Sequence, residues 1–153
     1  MSKRLVNVLG IATQAMAIEV AMARVAKLDL GQVSHKLQAT DPSKWTDAVV
    51  QCLEQKYRRF LALHLVHRGE AFVPNELLDE YWHQHILDTR KYAADCSQLF
   101  GEMLHHDPYF GMRDENERLE NQAGFERLRS LWELYFAEPL LGAANPCSST
   151  DCR

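Results

Sequence analysis

Two short segments concentrate the side chains that bind metals and move protons. The first reads Trp82-His83-Gln84-His85-Ile86-Leu87-Asp88-Thr89 and the second His105-His106-Asp107-Pro108-Tyr109-Phe110-Gly111. Four of the chain's seven histidines lie there, with Asp88, Cys96 and Asp107 in or between them. Imidazole, thiolate and carboxylate are the ligands of Zn²⁺, Fe²⁺ and Cu²⁺. Imidazole also carries protons near neutral pH. The residue types locate a site and leave its reaction open.

The elements that must position these groups are helices. Leu5, Leu9, Ala12, Met16, Val20 and Ala23 recur at helical spacing and predict an amphipathic first helix from about residue 5 to 27. Residues 28–40 form a mixed connection with room for one short helix. Asp41-Pro42 is a start signal for a second helix running to Arg68 and ending at Gly69. Its inward stripe is Trp45, Val49, Leu53, Tyr57, Phe60, Leu61, His64 and Leu65. Pro74 opens a third helix ending near Leu87, and Asp88 or Thr89 caps a fourth running to about Leu104. Asp114 and Glu117 form a capping box for a fifth, which carries Leu119, Phe125, Leu128, Leu131, Trp132, Tyr135 and Phe136. No segment alternates with a period of two, so the expected fold is all-α, a single-domain bundle of about five helices over residues 1–141. Residues 142–153 are small and polar, and they are expected to form a flexible tail carrying Cys147 and Cys152.

On the third helix the apolar face is Leu78, Tyr81, Trp82 and Ile86, with His85 in its middle. His83, two residues earlier, points nearly opposite, so the two cannot chelate one ion from a regular helix. On the fourth helix Tyr92, Cys96, Leu99 and Met103 form the inward stripe, and of His105 and His106 only one faces inward. His85, His106, Asp88 and Cys96 are therefore the candidate metal ligands. His83, His105, Asp107, Tyr92 and Tyr109 are supporting or alternate groups, and His85, His106 and Asp88 are the candidate acid–base residues. Each has an ordinary alternative: His85 as a satisfied core histidine, Asp88 as a helix cap, Cys96 as a buried inert thiol.

Composition narrows the partners. At 153 residues, 46% hydrophobic and 25% charged, the chain is an ordinary globular domain. A net charge of -4 gives no basic face for nucleic acid. No apolar run is long enough to span a bilayer. Lys3-Arg4 and the apolar residues after it imitate a secretion signal, but Asn7, Gln14 and Glu19 interrupt them, and a cytoplasmic location is expected.

The pattern Trp82-His83-x-His85-Ile86-Leu87-Asp88-Thr89, then Tyr92, Asp95-Cys96, Phe100-Gly101 and His105-His106-Asp107-Pro108-Tyr109-Phe110-Gly111 resembles the glycine-rich domain-containing protein-like family, in its short bacterial form. The resemblance covers residues 74–112 and implies that His83, His85, Asp88, Tyr92, Asp95, Cys96, His106 and Tyr109 matter together. The long plant relatives carry a glycine-rich extension tied to stress and development. This chain has seven glycines and no such extension, so those roles do not carry over.

Two functional readings follow. The first is a metal-dependent enzyme or maturation factor that acts on a small molecule or peptide through a divalent Zn, Fe or Cu site between the third and fourth helices. The second is a non-catalytic adaptor whose polar cluster is structural, with Tyr109-Phe110 meeting a protein partner. A ferritin-like di-iron site built from Glu80, His83, Glu102 and His105 with Glu19 and Glu54 is a further alternative. An open coordination position in a cleft favours the first; a closed, fully hydrogen-bonded cluster favours the second.

Overall fold

Six helices, without strands, make up the regular structure of the computed structural model, which describes residues 2–142 and, of the first helix's side chains, those from Gln14 onward. They are α1 (Ser2–Val25), α2 (Gly31–Thr40), α3 (Asp47–Val66), α4 (Glu76–Leu87), α5 (Thr89–Phe100) and α6 (Glu115–Phe136). The fold is all-α as expected, with six helices in place of about five. The extra one is α2, where Leu30, Val33 and Leu37 repeat at helical spacing and are all buried. No helix among the described residues is long and apolar enough to cross a membrane. Cys147 and Cys152 lie outside the described residues.

Helix α3 is the axis of the bundle. Leu53, Tyr57, Phe60, Leu61, Ala62 and Leu63 are fully covered, and α1, α2 and α4 pack directly on it. It starts later than Asp41-Pro42 implies. Asp41 Oδ1 instead accepts from the backbone of Ser43 and Lys44 and closes a single turn. Thr46 is the true N-cap, and Trp45 is buried between the two. Asp88 and Asp114 cap as expected, receiving Lys91 N and Glu117 N, whereas α4 starts at Glu76, two residues after Pro74, with Asn75 as its cap receiving Leu78 N. Helix α5 stops at Phe100, short of Leu104, because Gly101 takes the left-handed conformation at φ 74°.

Five apolar positions, Met16, Val20, Ala23, Met103 and Leu119, face the other way from their expected side. In α1, Met16 and Val20 are 64% and 56% exposed, while Ile18, Ala21 and Val25 are buried. The sequence from Ala15 to Met22 is apolar on almost every side, so its periodicity does not select a face. Leu5, Leu9 and Ala12 have no described side chains. Met103 is exposed because α5 has already ended, and Leu119 points outward from α6.

Helix α6 returns across the bundle and meets the extended segment 71–74 at Gly124. A Cβ added there would lie 2.8 Å from the Ala71 carbonyl oxygen and 2.8 Å from Val73 Cγ2. That closeness holds the segment as a wall beside α4. Alanine ordinarily favours a helix interior over glycine by about 1 kcal/mol, but overpacking against backbone costs about 1–3 kcal/mol. Gly124→Ala should therefore lower stability by about 1 kcal/mol or more in urea unfolding. Gly10→Ala, where nothing lies within 4 Å, should raise it by up to about 1 kcal/mol.

Candidate functional site

The polar residues of α4 divide between two clusters. His85 belongs to the closed one. It is almost completely buried, with Tyr57 Oη 2.8 Å from Nδ1 and Asp95 Oδ2 2.8 Å from Nε2. Lys91 Nζ sits 2.9 Å from the same carboxylate oxygen. An ion-paired carboxylate only accepts, so Nε2 carries the imidazole proton and Nδ1 accepts from the Tyr57 hydroxyl. Burial pushes the Tyr57 phenol well above its ordinary range, with the neighbouring Tyr92 and Cys96 adding to it, which keeps the hydroxyl a donor. Burial also lowers the His85 imidazole, outweighing the pull of Asp95. The ring is thus neutral with both nitrogens engaged, and it pins α3, α4 and α5 to one another.

The second cluster opens outward. Asp79 and His83 are one helical turn apart on α4 and share a side of it. His106 arrives from the irregular segment after α5. Its Nε2 is 2.7 Å from Asp79 Oδ1, and His83 Nδ1 is 3.4 Å from Asp79 Oδ2. The rings of His83 and His106 stack edge to face at 4.5 Å, and Trp82 flanks His106 at 4.6 Å. Among the described residues these three form the one group of His, Cys, Asp or Glu placed to hold an ion, with donor atoms all within 4.8 Å of one another. Ligands about 2.1 Å from a shared ion stand about 3.0–3.4 Å apart in octahedral or tetrahedral order. The carboxylate–imidazole spacings here already approach that separation.

Beside the group lies a cleft of about 310 Å³. Asp79, His106 and Trp82 form one wall, Phe72, Val73 and Pro74 another, and Leu104 to Pro108 with Phe110 and Asn121 the rim; His64 and Glu70 complete the lining. The rim is held by its own bonds. Tyr92 Oη accepts from Trp82 Nε1 and donates to the Leu104 carbonyl, which ties the segment before His106 to the core. Asp107 accepts from Tyr109 N and from Arg113. These two donors, the backbone amide first, hold its carboxyl below the usual range. Glu117, expected to reach back to its own cap, bonds Gly111 N and Arg113 N instead.

The structure does not gather the four expected ligands around one point. His106 lies in the open group and His85 in the closed one. Asp88 caps α5, and Cys96 is a buried free thiol beside Tyr92. His83 is turned away from His85, as the two-residue spacing requires, and joins His106. His105 and Asp107 line the cleft outside the three-residue group, and Tyr109 is exposed on its outer side. The di-iron arrangement is not formed: Glu80 pairs with Lys44, Glu102 with Arg68 and Glu54 with Arg58. Asp79 went unnoticed in the sequence. Its signal was Asp-x-x-x-His, the spacing that puts a carboxylate and an imidazole on one side of a helix.

Fold and site define an all-α protein with a His/Asp group on the wall of a cleft. The family model described as UCP032817-like matches residues 23–146, and the chain belongs to that family. It is also 29% identical over 94 residues to Glycine-rich domain-containing protein 2 of Arabidopsis thaliana, an alignment covering 59% of this chain and 12% of that much longer relative. The resemblance read from residues 74–112 is borne out. No solved structure matches the chain.

His64 gives the fold a pH dependence. It is packed among Phe60, Phe72 and Trp82. Its Nε2 is sealed without a partner, and burial pushes the imidazole down from 6.5 to about 4. The unfolded chain therefore takes up the proton first, so stability is full above about pH 6.5 and falls as pH drops toward about 4. Lowering pH from 7 to 5 should remove about 2 kcal/mol through this residue, in the same direction as His85. His64→Phe should flatten the urea midpoint over that interval; an unchanged slope would show that His64 is not held neutral.

The two clusters predict opposite phenotypes for neighbouring histidines. His85→Ala strands the Tyr57 hydroxyl in the core, leaves Asp95 with Lys91 alone and opens a cavity, and should cost about 3 kcal/mol or more. His83→Ala, at a half-exposed position, should cost less than about 1 kcal/mol. Equal losses in thermal unfolding would contradict this division.

Proposed function

We propose that this protein binds a divalent transition metal through Asp79, His83 and His106 and presents it to a small ligand in the adjoining cleft. One observation carries the reading: a carboxylate and two imidazoles, from Asp79, His83 and His106, stand within 4.8 Å of one another, and two of the three, Asp79 and His106, line a cleft. Two histidines and one carboxylate are the donor set of open iron and zinc centres, which leave further positions for water or substrate. Asp79 is buried and comes from a rigid helix, which suits an anchoring ligand. His106 must give up its Nε2 proton to ligate, so metal binding competes with the present hydrogen bond to Asp79. A bound ion would supply Lewis acidity at the cleft wall. Trp82 would orient His106 through its ring contact, and Phe72 and Phe110 would limit water around the ligand. His85, Asp88 and Cys96 enter this reading as supports: His85 fixes α4, Asp88 starts α5, and Cys96 fills the space beside Tyr92.

An adaptor role through Tyr109-Phe110 keeps only Tyr109 exposed, with Met112 near it in sequence, because Phe110 is partly buried in the cleft lining. It requires no metal, so one measurement separates the two. Titration of tag-free, chelator-stripped protein with Zn²⁺, Fe²⁺ and Cu²⁺ should reveal one site per chain. At a hundred times the dissociation constant the linkage is worth about 2.7 kcal/mol, several degrees in melting temperature. Asp79→Asn and His106→Ala should each weaken binding at least about a hundredfold, and His83→Ala about tenfold. Absence of binding by all three metals would remove the metal reading and leave the adaptor.

A further inference from the structure

Going beyond the metal reading, we propose that the cleft binds an extended peptide, held by the unpaired backbone of the two chain segments that flank it. The proposal rests on the metal reading only for what the peptide meets at Asp79 and His106; the backbone pairing itself needs no ion.

The groove is longer than the cleft at the His/Asp group. A second cleft of about 310 Å³ adjoins the first, and the two share His64, Glu70, Ala71 and Leu104 in their linings. Residues 68–71 line the second cleft together with Phe100 and residues 102–104. Residues 70–74 line the first together with residues 104–108. Two segments therefore run side by side, in the same direction, as the long walls of one groove. Residues 70–75 and 103–107 form neither helix nor turn. Val73 and Asp107 each precede a proline, which steers both away from the helical conformation and toward the extended one.

Neither wall spends its backbone on the fold. No backbone hydrogen bond joins the two segments. The amides and carbonyls of Phe72 and Val73 have no hydrogen-bond partner among the described residues, although both residues are more than nine-tenths buried. On the other wall the backbone of residues 103–106 makes one hydrogen bond among the described residues, from the Tyr92 hydroxyl to the Leu104 carbonyl. Buried backbone groups are nearly always paired. Two such rows facing one groove call for a ligand that carries amides and carbonyls along its length. An extended peptide laid between them supplies both at strand spacing, as in strand addition to an open edge. A small anion or a single ring could engage an ion at Asp79 and His106 and would leave both rows unpaired.

The side chains of an extended peptide alternate between two faces. Phe72 and Trp82 are buried beneath the first cleft, and the partly buried Leu104 lies where the two clefts meet. The charged groups Glu70, Glu102 and Asp107 are exposed, and each is already paired with an arginine. Every second residue of the peptide is therefore apolar and faces inward, and the residues between face water.

The test uses the full chain in its metal-free form. Calorimetry compares acetyl-Val-Ser-Val-Ser-Val-amide with the same peptide N-methylated at its three central residues, which keeps the side chains and removes the central backbone donors. The parent peptide should bind with a dissociation constant of about 200 µM or below. N-methylation should weaken it at least about tenfold. Amide hydrogen exchange should slow at Phe72 and Val73 and at residues 103–106 when the parent peptide is bound. Ala71→Trp, at an exposed position shared by both clefts, should weaken the parent peptide at least about tenfold. The N-methyl comparison and the exchange measurement need no variant and stand if Ala71→Trp fails to fold. Absence of binding at about 1 mM, equal binding of the two peptides, or exchange that slows on fewer than both walls overturns the proposal. Zn²⁺ affinity is measured separately without peptide. A chain that binds Zn²⁺ and not the peptide loses only the peptide assignment, and one that binds the peptide and not Zn²⁺ loses only the metal reading.

Discussion

The structure depends on how one buried imidazole is satisfied. His85 sits where α3, α4 and α5 meet, and an unpaired imidazole there would cost several kcal/mol. Tyr57 from α3 and Asp95 from α5 take its two nitrogens at 2.8 Å each. Only one rotation and one axial position of α4 allow both bonds. The same constraint decides where the rest of α4 points. With His85 directed into the core, Trp82 packs on Phe60 and His64, and Asp79 and His83 face the segment that carries His106. The cleft is thus placed by a contact that takes no part in it.

The contrast between the two clusters is one of completeness. Around His85 every strong donor finds an acceptor, and Lys91 compensates the charge of Asp95. Such a network specifies geometry and offers no position to a ligand. Around His106 the carboxylate and two imidazoles lean on one another beside an open space, and the ring of His64, whose Nε2 is sealed without a partner, backs the lining. Unsatisfied buried polar groups weaken a fold, and they recur where a fold serves a ligand. The two sequence readings, a structural polar cluster and a metal site in a cleft, thereby attach to different residues of one helix.

Helical class and the starts of α5 and α6 were legible in the sequence, because capping by Asp88 and Asp114 is local chemistry, and Pro74 marked the start of α4 to within two residues. The inward stripe of α3 was legible for the same kind of reason as far as Phe60, where Leu53 and Tyr57 repeat at helical spacing; from Phe60 to His64 the helix is buried on every side. The face of α1 was not, since Ala15 to Met22 offers several equivalent apolar sides and only the packing of Val25 and Leu28 against α3 chooses among them. The membership of the site was half legible. Residue types and spacing singled out His83, His85 and His106, and the opposite directions of His83 and His85 followed from helix geometry. What the sequence lacked was the path of residues 101–114. That path depends on Tyr92 reaching the Leu104 carbonyl and on Glu117 reaching back to Gly111 and Arg113, contacts between distant positions that no local signal announces. Without that path, His106 could not be assigned to Asp79 in preference to His85.

The same path explains why a site of this kind stands on an irregular segment and not on a longer α5. Had α5 continued to Leu104, His105 and His106 would have extended its axis past the end of α4. Gly101 at φ 74° stops the helix, and Tyr92 then anchors the returning chain to Trp82, the residue that also flanks His106. Each group that holds the rim is itself attached to the core through Trp82, Asn121 or the cap of α6. His106 therefore approaches Asp79 with little freedom, although it belongs to no helix. A ligand delivered by such a segment loses less conformational entropy on binding an ion than one on a free loop, and that preorganisation is the physical reason an open cluster persists beside a closed one.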